Sequence, residues 1–89
     1  MTTAEYRTVE DVCNVVRELR NRLAQHGEDQ AAKELDDTIT SFWTTSSEMI
    51  GEIKLSLLQV RPTVENKLGK DSLDLLDTVV VGATKLWNG

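Results

Sequence analysis

The sequence predicts an all-α fold, a small up-down bundle of about four helices that forms one domain over residues 1–89. Three observations favour it. Apolar residues recur every three or four positions through most of the chain, as on the buried face of a helix. Helix-starting threonines and helix-ending glycines separate these segments. The length and the 39% apolar content suffice for one hydrophobic core.

The first helix is expected over residues 9–26. Thr8 suits the N-cap, and the two acids that follow Val9 suit the positive end of the helix dipole. Gly27 suits the left-handed residue that ends a helix. The apolar stripe contains Val9, Val12, Cys13, Val16, Leu19 and Leu23. Residues 1–7 are expected to form a short flexible arm.

A second helix is expected over residues 29–43, followed by a break at Thr44. Its apolar stripe contains Ala31, Leu35, Ile39 and Phe42, with Ala32 and Trp43 at the edge. The run TITSFWTTSS forms helix weakly, because β-branched residues lose rotamers and serines compete for backbone hydrogen bonds. One continuous helix over residues 29–61 remains the alternative.

The third helix, expected over residues 46–61, is apolar on two sides. Thr45 and Glu48 match the T-x-x-E capping box that starts a helix. Pro62 is expected to end the helix at Arg61, because proline clashes with the preceding turn. The main stripe contains Met49, Ile50, Ile53, Leu57 and Val60. The other side of the helix carries Gly51, Leu55 and Leu58.

The last helix is expected over residues 71–87, after a short helical turn that Gly69 ends. Asp71 or Ser72 suits its N-cap. The β-branched run TVVVGAT also permits a strand, but the flanking periodicity favours helix. One apolar stripe contains Leu73, Leu76, Val80, Ala83 and Trp87. A second, adjoining stripe contains Leu75, Val79, Gly82 and Leu86.

The net charge of −5 disfavours nucleic acid and anionic membranes as partners, because those surfaces attract a positive field. No apolar stretch approaches the roughly 18 residues that a membrane-spanning helix needs. No signal peptide is expected at the start, MTTAEYRTVED. A cytoplasmic location is therefore expected, with no nucleic acid and no membrane as partners.

No pattern predicts catalysis, a cofactor or a metal site. His26, the only histidine, is expected to interact with the carbonyls at the end of the first helix. Cys13, the only cysteine, is expected in the core, where it behaves as a small apolar residue. Three aspartates recur at every third position. Asp71 is expected to cap the last helix, and Asp74 and Asp77 are expected to face solvent. The one basic cluster contains Arg17, Arg20 and Arg22, and glutamates on the same helix offset part of its positive charge.

One resemblance adds to this interpretation. The stretch 35–58 contains the run SSEMIG at 46–51, followed by Ile53 and Leu57. It resembles small uncharacterised bacterial helical proteins, in which a T/S-x-x-E-hydrophobic segment follows a short first helix pair. The resemblance covers about a quarter of the chain. It implies a bacterial all-α protein and carries no activity.

These observations favour a non-catalytic protein that acts through protein–protein contacts. The candidate interaction surface comprises Gly51, Leu55, Leu58, Leu75, Val79, Gly82 and Leu86. A homodimer and a different protein partner are alternative occupants, and a monomer that absorbs these residues into its core is the third outcome. An inhibitor, antitoxin or immunity-type protein that blocks a basic effector is an alternative function. A small metal-binding protein or enzyme is a further alternative.

Overall fold

Four α-helices make up the computed structural model, which describes residues 8–88 and the side chains as far as Leu86. The helices are α1 (Val9–Gln25), α2 (Asp29–Thr40), α3 (Ser46–Lys67) and α4 (Lys70–Asn88). Each helix packs against the next one along the chain, and α4 closes the ring against α1. The fold is therefore the small all-α up-down bundle that the sequence predicts. The expected arm at residues 1–7 and the side chain of Trp87 lie outside the described part.

The hydrophobic core takes side chains from all four helices. The predicted stripes of α1 and α3 are confirmed, and Cys13 is only 3% exposed within the first of them. The largest side chains that are fully buried are Leu19, Leu23, Leu35, Ile50, Ile53, Leu57 and Leu76. Because these leucines and isoleucines recur at helical spacing, burial of one face holds each helix in place.

Threonine side chains start α1 and α3, as the sequence predicts. Thr8 Oγ1 accepts a hydrogen bond from the Asp11 amide, and Asp11 Oδ2 accepts one from the Thr8 amide, which completes a capping box. Thr45 Oγ1 accepts from the Glu48 amide at 3.2 Å. The Glu48 carboxylate accepts from the Thr45 hydroxyl at 3.4 Å, and the return bond to the Thr45 amide is not formed. The predicted capping box at α3 is therefore half formed.

The cap at Thr45 gives a measurable expectation. Thr45→Ala should lower the free energy of unfolding by about 1 kcal/mol, because the Glu48 amide loses its acceptor. Chemical denaturation followed by circular dichroism measures the change. Thr44→Ala, at an exposed neighbouring position, is the control and should leave the midpoint unchanged. Equal losses in both variants, or no loss in either, would contradict the cap.

α3 continues through Pro62, so the predicted helix end at Arg61 is wrong. The proline ring is exposed, and the missing amide removes one helical hydrogen bond. Two residues later, Val64 is fully buried, and Arg61 forms an ion pair with Asp77 of α4 at 2.9 Å. Burial and pairing on both sides of the proline outweigh its local cost. The expected separate turn after Pro62 is the last part of α3.

α2 ends at Thr40, three residues before the predicted end at residue 43. The next residue, Ser41, has an extended backbone, and its hydroxyl bonds to the Asp37 carbonyl. The Ser41 amide also donates to that carbonyl, which completes the last turn of α2. The next carbonyl, that of Thr38, accepts from the Trp43 ring nitrogen, where a continued helix would pair it with the Phe42 amide. Phe42 consequently leaves the apolar stripe and is 94% exposed, so its assignment to the core is wrong. The break before α3 is confirmed, and the continuous helix is not formed.

α4 begins at Lys70, directly after Gly69, whose φ of 94° lies in the left-handed region. The amide of Leu73 donates to the Gly69 carbonyl at 3.1 Å. Asp71 and Ser72 therefore lie within the first turn, and neither is the N-cap that the sequence predicts. The Ser72 side chain is instead buried, where its hydroxyl accepts from Arg22 of α1.

Polar side-chain pairs link every pair of neighbouring helices. They are Arg20–Asp36 between α1 and α2, Thr38–Ser56 between α2 and α3, Arg61–Asp77 between α3 and α4, and Arg22–Ser72 between α1 and α4. Hydrogen bonds depend on direction as well as distance, whereas apolar contacts have no preferred direction. These pairs therefore help to set the position of each helix along the axis of its neighbour.

Candidate interaction surface

The structure divides the predicted surface residues between solvent and core. On α3, Leu55 and Leu58 are 55% and 50% exposed, and Gly51 is half-buried between them and the helix start. On α4, Val79 and Gly82 are buried, while Leu75 and Leu86 are half-buried against the core. α4 packs against both α1 and α3, so two neighbours cover its wide apolar arc. Val79 and Gly82 therefore belong to the core, while Leu75 and Leu86 stay partly exposed at its edge.

The exposed side of α3 lines an open groove of about 530 Å³, which we call the α3 groove. Its lining residues are Trp43, Glu48, Gly51, Glu52, Lys54, Leu55 and Leu58. Gly51 leaves the middle of this lining without a side chain. The α3 groove is thus an apolar strip with charged residues at its edges.

Trp43 lines this groove, although the sequence pattern assigned it to α2. It was expected at the edge of the α2 stripe, but it lies in the connection between α2 and α3. Its Nε1–H donates to the Thr38 carbonyl at 2.8 Å, which fixes the ring beside the end of α2. The run of weak helix formers around it was the signal that α2 stops early and leaves the aromatic residues in a loop.

The charged residues of the groove lie on two opposite sides of its apolar strip. At about 100° per residue, Glu48 and Glu52 lie roughly 70° to one side of the strip formed by Gly51, Leu55 and Leu58. Lys54 lies about as far to the other side. The groove therefore has an acidic rim, defined by Glu48 and Glu52, and a rim that carries Lys54.

Elsewhere on the bundle, several basic side chains are paired with acids of the same chain. The ion pairs are Arg17–Glu10, Arg20–Asp36, Arg22–Glu18, Lys33–Asp37, Arg61–Asp77 and Lys70–Asp74. A two-pronged hydrogen bond from Arg61 lowers the pKa of the Asp77 carboxyl, so this pair stays charged at neutral pH. The three arginines of α1 are each paired, which fits the diluted basic cluster seen in the sequence.

The two residues considered for chemistry lie where the sequence predicts. Burial raises the pKa of the Cys13 thiol, which favours the protonated form. His26 Nδ1 lies 2.9 Å from the Arg22 carbonyl oxygen at the end of α1. Among residues 8–86, no three histidine, cysteine or acidic side chains are grouped so that they could hold a metal ion. The described helices also include none with the length and apolar character of a membrane span.

Comparison with known proteins finds no matching family model, and no curated protein or solved structure that matches the chain. A function for this chain therefore has to be inferred from the geometry and charge of the α3 groove.

Proposed function

We propose that this chain is a non-catalytic, acidic helical protein that acts through protein–protein contacts at the α3 groove. The observation that carries the proposal is the exposure of Leu55 and Leu58 on a helix whose opposite face already fills the core. Scattered exposed leucines are common in proteins. These two share one groove with Trp43 and Gly51, and clustered apolar surface of this kind is typical of binding sites.

The shape of the groove suits a helix better than an extended strand. Its lining follows one face of α3, and it offers side chains rather than the free backbone edge that a strand requires. Gly51 lacks a side chain, so a partner helix can approach α3 closely at that level. Trp43 also adds an aromatic ring to the groove, and tryptophan is among the residues that concentrate binding energy at interfaces.

Site-specific photo-crosslinking tests the proposal in cells that produce the protein. A benzoyl-phenylalanine placed at position 58 should give covalent adducts with another polypeptide. The same residue at position 33 is the control, because the Lys33 side chain is 73% exposed on α2. Adducts from position 58 alone support the proposal. No adduct from position 58 in a folded protein, or equal adducts from both positions, would count against it.

A second variant checks that the adduct depends on the apolar strip. Leu55→Glu should reduce the yield of the crosslink from position 58 while the helical circular dichroism signal is retained. Leu55 is half-exposed, so a charge at this position remains in contact with water. The mass of the adduct also separates a second copy of this chain from a different protein.

A further inference from the structure

We propose that the α3 groove binds an amphipathic helix of a different protein, with lysine or arginine side chains along one flank. This inference rests on the proposed function and adds the chemistry of the partner. The lining on α3 runs from Glu48 to Leu58, about 15 Å along the axis at 1.5 Å per residue. That length matches about three turns of a docked helix. Its apolar side chains would meet Leu55, Leu58 and Trp43.

The acidic rim specifies the charge of that flank. Glu48 and Glu52 are four residues apart on one helix, so like-charge repulsion disfavours their arrangement. Within the described part of the chain, neither carboxylate takes part in an ion pair, and Glu48 accepts only from the Thr45 hydroxyl. A cation supplied by a partner would relieve this repulsion. Lys54 lies on the other rim, so only the flank that meets the glutamates needs to be basic.

A second copy of the chain fits the groove poorly. In an antiparallel two-fold pair of α3 helices, each flank meets the same flank of its copy, so the two acidic rims face each other. In a parallel pair, two glutamates face the single Lys54, which already has an interaction within its own chain. The net charge of −5 on each copy adds repulsion, whereas it attracts a basic partner.

Titration with synthetic helical peptides tests the proposed charge. One peptide of about 15 residues carries leucines at i, i+3 and i+7 with lysines along one flank, and its twin carries glutamates there. The lysine peptide should shift the amide resonances of residues 48–58 in isotope-labelled protein. We expect it to bind at least about tenfold more tightly than the twin, and its affinity should fall with added salt.

Paired glutamine variants separate the acidic rim from net charge. Glu48→Gln with Glu52→Gln should weaken binding of the lysine peptide about tenfold. Glu34→Gln with Glu65→Gln removes the same charge from exposed positions outside the groove, and should change affinity less than about threefold. Equal losses in the two variants, or equal binding of the two peptides, would overturn the inference.

The same protein reveals whether the groove serves a second copy instead. Light scattering across a dilution series should give a monomer mass. A dimer mass that Leu55→Glu abolishes would overturn the basic-helix inference and leave the proposed function intact. The proposed function fails by a different result, namely the absence of any adduct from position 58 in cells.

Discussion

Leu57→Ala should lower the free energy of unfolding by about 3 kcal/mol, whereas Leu58→Ala should change it by less than about 1 kcal/mol. The two leucines are neighbours on α3, and they differ in environment. Leu57 is completely buried, so its truncation removes apolar contacts and leaves a cavity. Leu58 is 50% exposed on the α3 groove, so water already replaces much of its packing.

Urea denaturation followed by far-ultraviolet circular dichroism measures both changes. The comparison requires that the slope of the unfolding free energy against urea concentration is the same in both variants. The pair is internally controlled, because residue type, helix and substitution are the same. Similar losses in the two variants would mean that Leu58 is part of the core. A larger loss for Leu58 would mean that α3 is rotated, and both the core and the α3 groove would have to be reassigned.

Pro62→Ala should raise the free energy of unfolding by about 2 kcal/mol. Proline inside a helix removes one backbone hydrogen bond and its ring crowds the preceding turn. The ring is exposed, so its removal loses little buried surface. The gain should appear as a higher denaturation midpoint in urea.

Gln59→Ala provides the control for this substitution, because Gln59 is also exposed on α3 and one turn away. It should change the free energy of unfolding by no more than about 0.5 kcal/mol. A destabilising Pro62→Ala, or equal effects of the two substitutions, would favour the helix end at Arg61 that the sequence alone predicts.

Local signals in the sequence were sufficient where a single residue decides a helix end. Thr8 and Thr45 cap helices because their hydroxyls reach a free amide, and this depends only on residues three positions away. Gly27 ends α1 because it takes a φ of 76° without strain. Such features need no knowledge of the tertiary structure, so they could be predicted.

Features that depend on neighbouring helices could not be predicted in the same way. Pro62 is a helix-ending signal locally, but burial of Val64 and the pairing of Arg61 hold α3 together beyond it. The apolar arc of α4 suggested surplus surface, and only the positions of α1 and α3 show that Val79 is covered. For the α3 groove, sequence periodicity identified the leucines but not Trp43, whose position depends on where α2 stops.

The connections between helices differ in length, and the length bears on whether all four helices of a bundle come from one chain. Gly27 and Gly69 make tight turns, so α1 with α2 and α3 with α4 form two compact hairpins. Residues 41–45 are the longer hinge between them. Each hairpin needs the apolar face of the other, whichever molecule supplies it. If the hinge straightened and α2 ran on into α3, one hairpin would complete the core of a second molecule by domain exchange. A straightened hinge would therefore give a core built from two chains instead of one.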